Sequence, residues 1–365
     1  MKKTLAAVAV LGAFAGSALA ADVTLYGKVD LGLHYQGVKA EIDGLKDIKT
    51  NNWDVKSGGN SASRWGIKGS EQISEGLTVG FKLEDGIKAD NGTTGDMFDR
   101  EASLYVATDF GTLYMGRMGA LDSTTGSVGM IDGFAVTTGN SDVIGSYDIA
   151  MQAHSRLNNS IAYVSPEFAG VKVHAMVSLG DDSGEVTIDG EKIKLNKEGS
   201  SNVDRYYGLG AKGQWGALGA VAIVSQVDKG HDILATTNFQ PDDVMNYTAG
   251  VNYDFGFAKM ALMANYMDAG ETELGEEDSA WGVHYSVGAP LPVGYLEAVV
   301  AYGEEKTEVT GGDDEKIKNF NVGAMYKYPL SKRTYLYAGA GYAQMKEDNS
   351  KLRIYEVSSG LVHNF

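Results

Sequence analysis

Apolar and polar side chains alternate along most of the chain. In residues 23–35 the odd positions carry valine, leucine and tyrosine around one glycine, whereas the even positions include threonine, lysine, aspartate and histidine. The same alternation recurs in residues 77–84 and 320–328. Successive side chains of a strand point to opposite faces, so a period of two predicts strands with one apolar and one polar face. No helical period is sustained in these segments.

The links between these strands are long and short in turn. Residues 84–99 form a long polar link and 109–111 a tight one, while the tight turn 165–168 is followed by a long acidic link at 180–203. Transmembrane barrels alternate short periplasmic turns with long outer loops, an order that soluble sandwiches do not require. We therefore predict an all-β fold, a transmembrane antiparallel β-barrel of about sixteen strands, with strands at 22–35, 61–71, 77–84, 99–108, 112–118, 156–164, 170–179, 204–214, 218–227, 245–254, 258–267, 280–288, 295–304, 318–327, 334–344 and 352–365.

Composition fits a single large barrel. The chain has 48 Gly, 20 Tyr, 5 Pro and no Cys, and no apolar run after residue 20 is long enough for a spanning helix. A barrel of sixteen strands encloses water, and its closure pairs every strand edge within the membrane. We predict that residues 21–365 form one barrel domain. An exported acidic protein with two soluble β-domains is the alternative that composition alone leaves open.

The first twenty residues have the pattern of a secretory signal peptide. A basic start and a short apolar core precede a small-residue site that predicts cleavage between Ala20 and Ala21. A transmembrane helix is the rival interpretation, but the apolar core is shorter than the roughly 20 residues that a span needs. Removal of residues 1–20 takes away two lysines and no acid, which leaves 29 basic and 48 acidic residues, a net charge of −19. A nucleic-acid partner is not expected, because phosphate binding needs clustered cations.

Motifs that suggest cofactor or catalytic chemistry have a simpler interpretation. Gly208, Gly210 and Gly213 fit the spacing of a dinucleotide-binding loop, yet a strand follows them where that loop requires a helix. The six histidines lack metal-ligand spacing, and no Gly-x-Ser-x-Gly nucleophile motif is present. We therefore predict no catalytic residue, no cofactor and no metal site.

Several blocks resemble the general Gram-negative porins, in the right order from the first strand to the last residue. The blocks are DVTLYGKVD at 22–30, SRWGIKGSE at 63–71, RLNNSIAYVSPEFAG at 156–170, LSKRTYLY at 330–337 and GLVHNF at 360–365. The resemblance implies a homotrimer of sixteen-stranded barrels, each with its own pore. It also implies that the third outer loop, residues 119–155, folds inward and narrows the channel.

The resemblance assigns charges to the two sides of that constriction. It implies acidic loop residues, for which the candidates are Asp122, Asp132, Asp142 and Asp148, and a facing basic wall, for which they are Lys28, Arg64, Arg100 and Arg156. Two observations from the residues agree with it. From residue 118 to 155 the chain has no Lys or Arg, and Lys28 and Arg64 lie on the face opposite the apolar side of their strands. The alternative for each is a solvated surface charge of little energetic weight.

These features predict a general diffusion porin, a water-filled outer-membrane channel for small hydrophilic solutes and ions. Opposed charges would set a transverse field across a narrow aqueous slot, which low-dielectric walls focus. The acidic total predicts a weak cation preference. Outer-membrane lipid and lipopolysaccharide are the expected surroundings, and the terminal Phe365 is expected to assist assembly at the membrane interface. A substrate-specific channel, and an adhesin or enzymatic barrel, are the alternatives.

Overall fold

The computed structural model describes residues 22–134, 155–180, 185–188, 191–194, 198–200, 203–230, 243–271, 276–309 and 311–365. In these ranges every regular element is a β-strand, and no helix is long and apolar enough to cross a membrane. The twenty strands are β1 (Thr24–Ile42), β2 (Ile48–Ser57), β3 (Arg64–Ser74), β4 (Leu77–Lys88), β5 (Thr93–Thr94), β6 (Glu101–Thr108), β7 (Gly111–Gly119), β8 (Arg156–Val164), β9 (Val171–Ser178), β10 (Glu185–Ile188), β11 (Glu191–Lys194), β12 (Arg205–Trp215), β13 (Leu218–Asp228), β14 (Val244–Asp254), β15 (Lys259–Glu271), β16 (Glu276–Pro290), β17 (Tyr295–Val309), β18 (Glu315–Pro329), β19 (Thr334–Glu347) and β20 (Ser350–Asn364).

Sixteen strand positions make up a closed antiparallel wall. β1 pairs with β20 along fifteen residues, which joins the first strand to the last and closes the wall. β2 and β3 pair with different stretches of the other edge of β1, so together they occupy one wall position. β5 pairs only with the end of β4, and β10 and β11 form a separate hairpin. The predicted all-β barrel of about sixteen strands is confirmed.

The period of two in the sequence becomes an apolar outer face and a polar inner face. Leu33 and Leu209 point outward and are more than half exposed, whereas Asp30, His34 and Ser225 point inward and are buried. Outward rings also meet across strands, as Tyr35 and Trp53 do with centroids 5.0 Å apart. An apolar exterior and a polar lumen are what a barrel in a lipid bilayer requires.

Tight turns close one end of the barrel. The turn between β3 and β4 passes through Gly76 at φ 73°, and the turn between β12 and β13 through Gly216 at φ 59°. Residues with a Cβ rarely adopt this left-handed region, so glycine allows a link of only two residues. The start of β1 and the last residue meet at the same end. The amide of Phe365 donates to the carbonyl oxygen of Gly27 at 3.0 Å, and the amide of Gly27 donates back at 3.1 Å.

Several of the predicted links were too long. Residues 36–60 mostly form strand, because β1 continues to Ile42 and β2 begins at Ile48. The predicted long loop at 268–279 is also shorter, since β15 continues to Glu271 and β16 begins at Glu276. Backbone pairing continues there without the parity of the preceding segment. Val38, Ala40 and Ile42 have the opposite parity to Leu33 and Tyr35, and residues 268–271 are polar or small.

Candidate functional site

The four predicted wall cations lie on neighbouring strands at one side of the barrel. Lys28 of β1 is the register partner of Arg64 of β3, and Arg156 begins β8. Arg100 immediately precedes β6 and lies within electrostatic range of the other three. The structure thus brings together four cations, of which the first and the last, Lys28 and Arg156, are 128 positions apart in the sequence.

Two buried glutamates, which were not among the predicted site residues, are interleaved with these cations. Glu84 of β4 accepts a hydrogen bond from Arg100 Nε at 2.7 Å and another from the Tyr26 hydroxyl at 2.9 Å. Glu101 of β6 is its register partner and is 1% exposed. Glu101 accepts from Lys82 Nζ at 2.8 Å. The sequence held a signal for Glu84, because Glu84 has the same parity as Lys82 and therefore faces the same side of the strand.

Arg117 lies beside these cations, but on the other face of β7. Its neighbours Gly116 and Met118 are on the lumen side, since Gly116 is the register partner of buried Ser103 and Met118 is fully buried among lumen-facing residues. Arg117 Nε donates to the carbonyl oxygen of Asp99 at 2.7 Å. We name the lumen-facing surface the basic ladder, defined by Lys28, Arg64, Lys82, Arg100 and Arg156.

The basic ladder keeps a surplus of positive charge after its ion pairs are counted. Glu84 and Glu101 lie within it, and Asp30 and Asp99 lie beside it. Five cations therefore face these four carboxylates, so the balance among these nine groups is opposite in sign to the net charge of the whole chain. Packing several cations along one wall is unfavourable unless carboxylates separate them, which is the structural role of the two glutamates.

A second inward surface is formed by the first part of the predicted constriction loop. Residues 120–134 pack against inward side chains of β9, β12, β13 and β15. The buried partners from this segment and the strand before it are Met118, Ala120, Leu121, Val128, Met130, Ile131 and Phe134, and the wall partners are Met176, Tyr206, Val221, Ile223 and Met263. Because these wall residues face the lumen, their apolar contacts hold the segment against the inner surface of the barrel.

Gly208 and Gly210, which fit the spacing of a dinucleotide-binding loop, allow residues 120–134 to approach the wall closely. A Cβ at Gly210 would lie 2.7 Å from Met130 Sδ, and one at Gly208 would lie 3.0 Å from Leu121 Cδ1. Both positions face inward on β12, where a larger residue would occupy the space of the segment. The two glycines thus have a packing role in this barrel.

Asp122 differs from its predicted role as an acid lining the passage. It is 1% exposed, and its carboxylate accepts from the hydroxyls of Tyr206 at 3.5 Å and Ser225 at 3.3 Å and from Asn246 Nδ2 at 3.3 Å. These three partners come from β12, β13 and β14. The structure therefore makes Asp122 an anchor of the segment on the wall, because hydrogen-bonded burial removes its carboxylate from the water in the passage.

The other three predicted loop acids have different outcomes. Asp132 is exposed, and its carbonyl oxygen accepts from Lys212 Nζ at 3.0 Å. The same Nζ lies 5.3 Å from the centre of the Phe134 ring, which holds this end of the segment. Asp142 and Asp148 lie outside the described residues. The acidic role of Asp132 stays a prediction.

The segment also reaches back to the basic ladder. The hydroxyl of Ser127 donates to Glu101 Oε1, and Lys259 Nζ of β15 lies 3.8 Å from the Cβ position of Gly133. Residues 126–134 therefore run along the inner wall from β6 to β15. Among the described residues no group of three or more His, Asp or Glu could hold a metal ion. The site supplies charge and steric restriction, which are the means by which a pore selects ions and solutes.

Comparison with known proteins gives consistent matches over nearly the whole chain. A family model described as Gram-negative porin matches residues 6–349. An outer membrane porin protein of Bordetella pertussis is 29% identical over all of both chains. Outer membrane porin protein 32 of Delftia acidovorans is 28% identical, with coverage of 95% of this chain and 91% of that protein.

Solved structures share the fold. An anion-selective porin from Comamonas acidovorans has a TM-score of 0.65 at 22% identity, over 95% of this chain and all of that one. The trimer form of OmpT, an outer membrane protein of Vibrio cholerae, has a TM-score of 0.61 at 17% identity with the same coverage.

Proposed function

The chain belongs to the Gram-negative porin family, and from that premise we propose that its passage is narrowed between the basic ladder and segment 119–155. The protein is a multi-pass outer-membrane diffusion channel for small hydrophilic solutes and ions. The observation that carries the proposal is the packing of residues 120–134 on the inner wall, together with the contact from Ser127 to Glu101. Lys28, Arg64, Arg100 and Arg156 would then border the narrowest water-filled section.

Passage through such a section follows from its electrostatics. The cations of the basic ladder face a water layer bounded by low-dielectric walls, which strengthens their field relative to bulk water. Polar solutes can replace lost hydration by interacting with that field. A bulky apolar solute displaces the ordered water and makes no compensating interaction with the charges. The channel would therefore pass small hydrophilic molecules without a cofactor or an energy source.

We also propose that the channel prefers anions. The net charge predicted a weak cation preference, but most of the acids that produce this charge lie far from the basic ladder. Charges farther than about 10 Å from a permeating ion are largely screened at 0.1 M salt, whereas those beside it act nearly in full. The basic ladder and the carboxylates beside it have a positive balance, so the sign of this local charge should decide the ion preference. One structural neighbour is named as an anion-selective porin, which is consistent with this proposal.

A homotrimer is the proposed assembly. One structural neighbour is described in a trimer form, and the outer face of this barrel exposes apolar residues that a second copy could cover. Mild-detergent native mass spectrometry should report a mass of three mature chains. A monomer that conducts with full single-pore conductance would refute the trimer without affecting the channel.

Planar bilayer recording tests the proposed function most directly. We expect ohmic current steps without saturation, and a reversal potential in a KCl gradient of the sign set by chloride. Saturation of the current by one sugar or anion would support a substrate-specific channel. An absence of current from correctly folded protein would support an adhesin or enzymatic barrel. A reversal potential of the sign set by potassium would refute the anion preference alone.

A further inference from the structure

The second wall position is interrupted opposite residues 29–30 of β1. β2 ends at Ser57 and β3 begins at Arg64, and both pair with β1, so the six residues 58–63 leave the wall and return to it. Gly58 begins this excursion with a φ of 80°, a conformation that glycine adopts without strain. We name residues 58–63 the inner bulge, because Asn60 and Ser61 contact lumen-facing side chains.

Asp30 of β1 holds the inner bulge in place. Its side chain is fully buried, and its Oδ2 accepts from the backbone amides of Asn60 at 2.8 Å and Ser61 at 2.7 Å. The backbone of Asp30 exchanges two further hydrogen bonds with the Ser63 hydroxyl, both at 3.0 Å. A carboxylate that accepts from two backbone amides fixes the backbone of a short excursion as firmly as a ladder pair would.

The inner bulge reaches across two strands. Asn60 Nδ2 donates to the Tyr335 hydroxyl at 2.7 Å, and the Tyr337 hydroxyl donates to Asp30 Oδ1 at 2.9 Å. Both tyrosines belong to β19, and β20 lies between β19 and β1. The Tyr337 ring crosses β20 over Gly360, where a Cβ would lie 2.6 Å from the hydroxyl. The inner bulge therefore covers the lumen face of β1 and β20.

The order of strands places the inner bulge opposite segment 120–134. Counted around the sixteen wall positions, β20 and β12 are eight positions apart, which is half of the circumference. Segment 120–134 contacts β12 through the pairs Leu121 with Gly208 and Asp132 with Lys212. The inner bulge is also connected to the basic ladder, since Lys28 Nζ donates to Ser61 Oγ at 3.0 Å.

We propose that the inner bulge is a second, fixed constriction element of the channel. It narrows the passage from the side opposite segment 120–134, and it positions Lys28 at the permeating ions through Ser61. Asp30 and Tyr337 act as positioning residues, since their contacts go to the inner bulge. This inference rests on the proposed function, because it assumes that ions pass between the two inward elements.

Thiol modification in a planar bilayer tests the inference. The chain has no cysteine, so Ser61→Cys introduces a single reactive site. An anionic methanethiosulfonate reagent added to open channels should produce a stepwise loss of conductance in Ser61→Cys. The control is Glu315→Cys, which lies at the exposed start of β18, away from the bulge. It should show no change, and mass spectrometry should verify modification of both variants.

The outcomes separate the inference from the function on which it rests. A Ser61→Cys channel that is modified yet conducts as before overturns the inner bulge as a constriction, while the channel itself stands. A wild-type protein that passes no current overturns the proposed function instead. If Ser61→Cys fails to assemble, Ala62→Cys gives the same readout without removing the contact to Lys28, and an unchanged conductance after its modification counts equally against the inference.

A second comparison tests the positioning role. Tyr337→Phe removes the donor to Asp30 and should raise the rate of Ser61→Cys modification, because the inner bulge loses one of its attachments. Tyr342→Phe on the same strand is the control, since its hydroxyl contacts Gln344 and not the bulge. Equal modification rates in the two backgrounds would show that Tyr337 does not hold the bulge.

Discussion

Glu84→Gln should increase the anion preference of the channel. The carboxylate accepts from Arg100 Nε at 2.7 Å and lies 3.8 Å from Lys82 Nζ and 4.0 Å from Arg64 Nε. Glutamine keeps the shape. Its oxygen can still accept from Arg100 Nε and its NH2 group can donate to the Tyr26 hydroxyl oxygen, so both contacts can persist in weaker form. The substitution removes one negative charge from the middle of the basic ladder and leaves three cations less compensated.

The size of the effect follows from the electrostatics of the site. A unit charge about 4 Å from a permeating ion contributes ~1 kcal/mol in water, and more where the walls lower the dielectric constant. An energy of ~1 kcal/mol corresponds to a factor of about five in an equilibrium ratio. Because the carboxylate attracts potassium and repels chloride by similar amounts, we expect the chloride-to-potassium permeability ratio to rise by up to the square of that factor, about 25-fold. Loss of the charged hydrogen bonds costs about 1–3 kcal/mol of folding stability.

Reversal potentials in a KCl gradient measure this ratio directly. Glu315→Gln is the matched control, because Glu315 is exposed at the start of β18 and its charge should be screened from the passage. Single-channel conductance reports whether the Glu84→Gln pore is intact. A ratio that stays at the wild-type value, or that moves toward potassium, would refute the reasoning, since it would mean that ions do not pass beside the basic ladder.

Three further predictions concern the inner segment, barrel closure and export. Asp122→Ala removes the acceptor that Tyr206, Ser225 and Asn246 share, which costs about 1–3 kcal/mol for each unmade bond. Segment 120–134 should therefore loosen and the current noise should rise. A wild-type noise spectrum would contradict this. A Cβ added at Gly27 would lie 2.2 Å from Phe365 Cζ and 2.8 Å from a backbone oxygen, so Gly27→Val overpacks this site. The cost of about 1–3 kcal/mol should lower the fraction of folded barrel in heat-modifiability gels. N-terminal sequencing of the exported protein should begin at Ala21, and a retained leader would contradict the predicted cleavage.

The sequence by itself determined the class of the protein. Its period of two, with apolar residues on one face and charges on the other, reports the two solvents that the wall separates, and this is a local property that each strand carries in its own residues. The alternation of turns and loops set the direction of the strands and their even number. The inward direction of Lys28 and Arg64 also followed from parity, because each shares a strand with an apolar face.

The tertiary structure decided which inward residues meet. Glu84 reaches Arg100 only because β4 and β6 adopt a particular register, and Asp122 is buried only because the apolar surface of the inner segment docks on β12 to β15. The inner bulge is held by a contact between Asp30 and Tyr337, which are 307 positions apart in sequence. Contacts across a lumen depend on closure and on the summed register of all sixteen strands, and no single segment of sequence contains that sum.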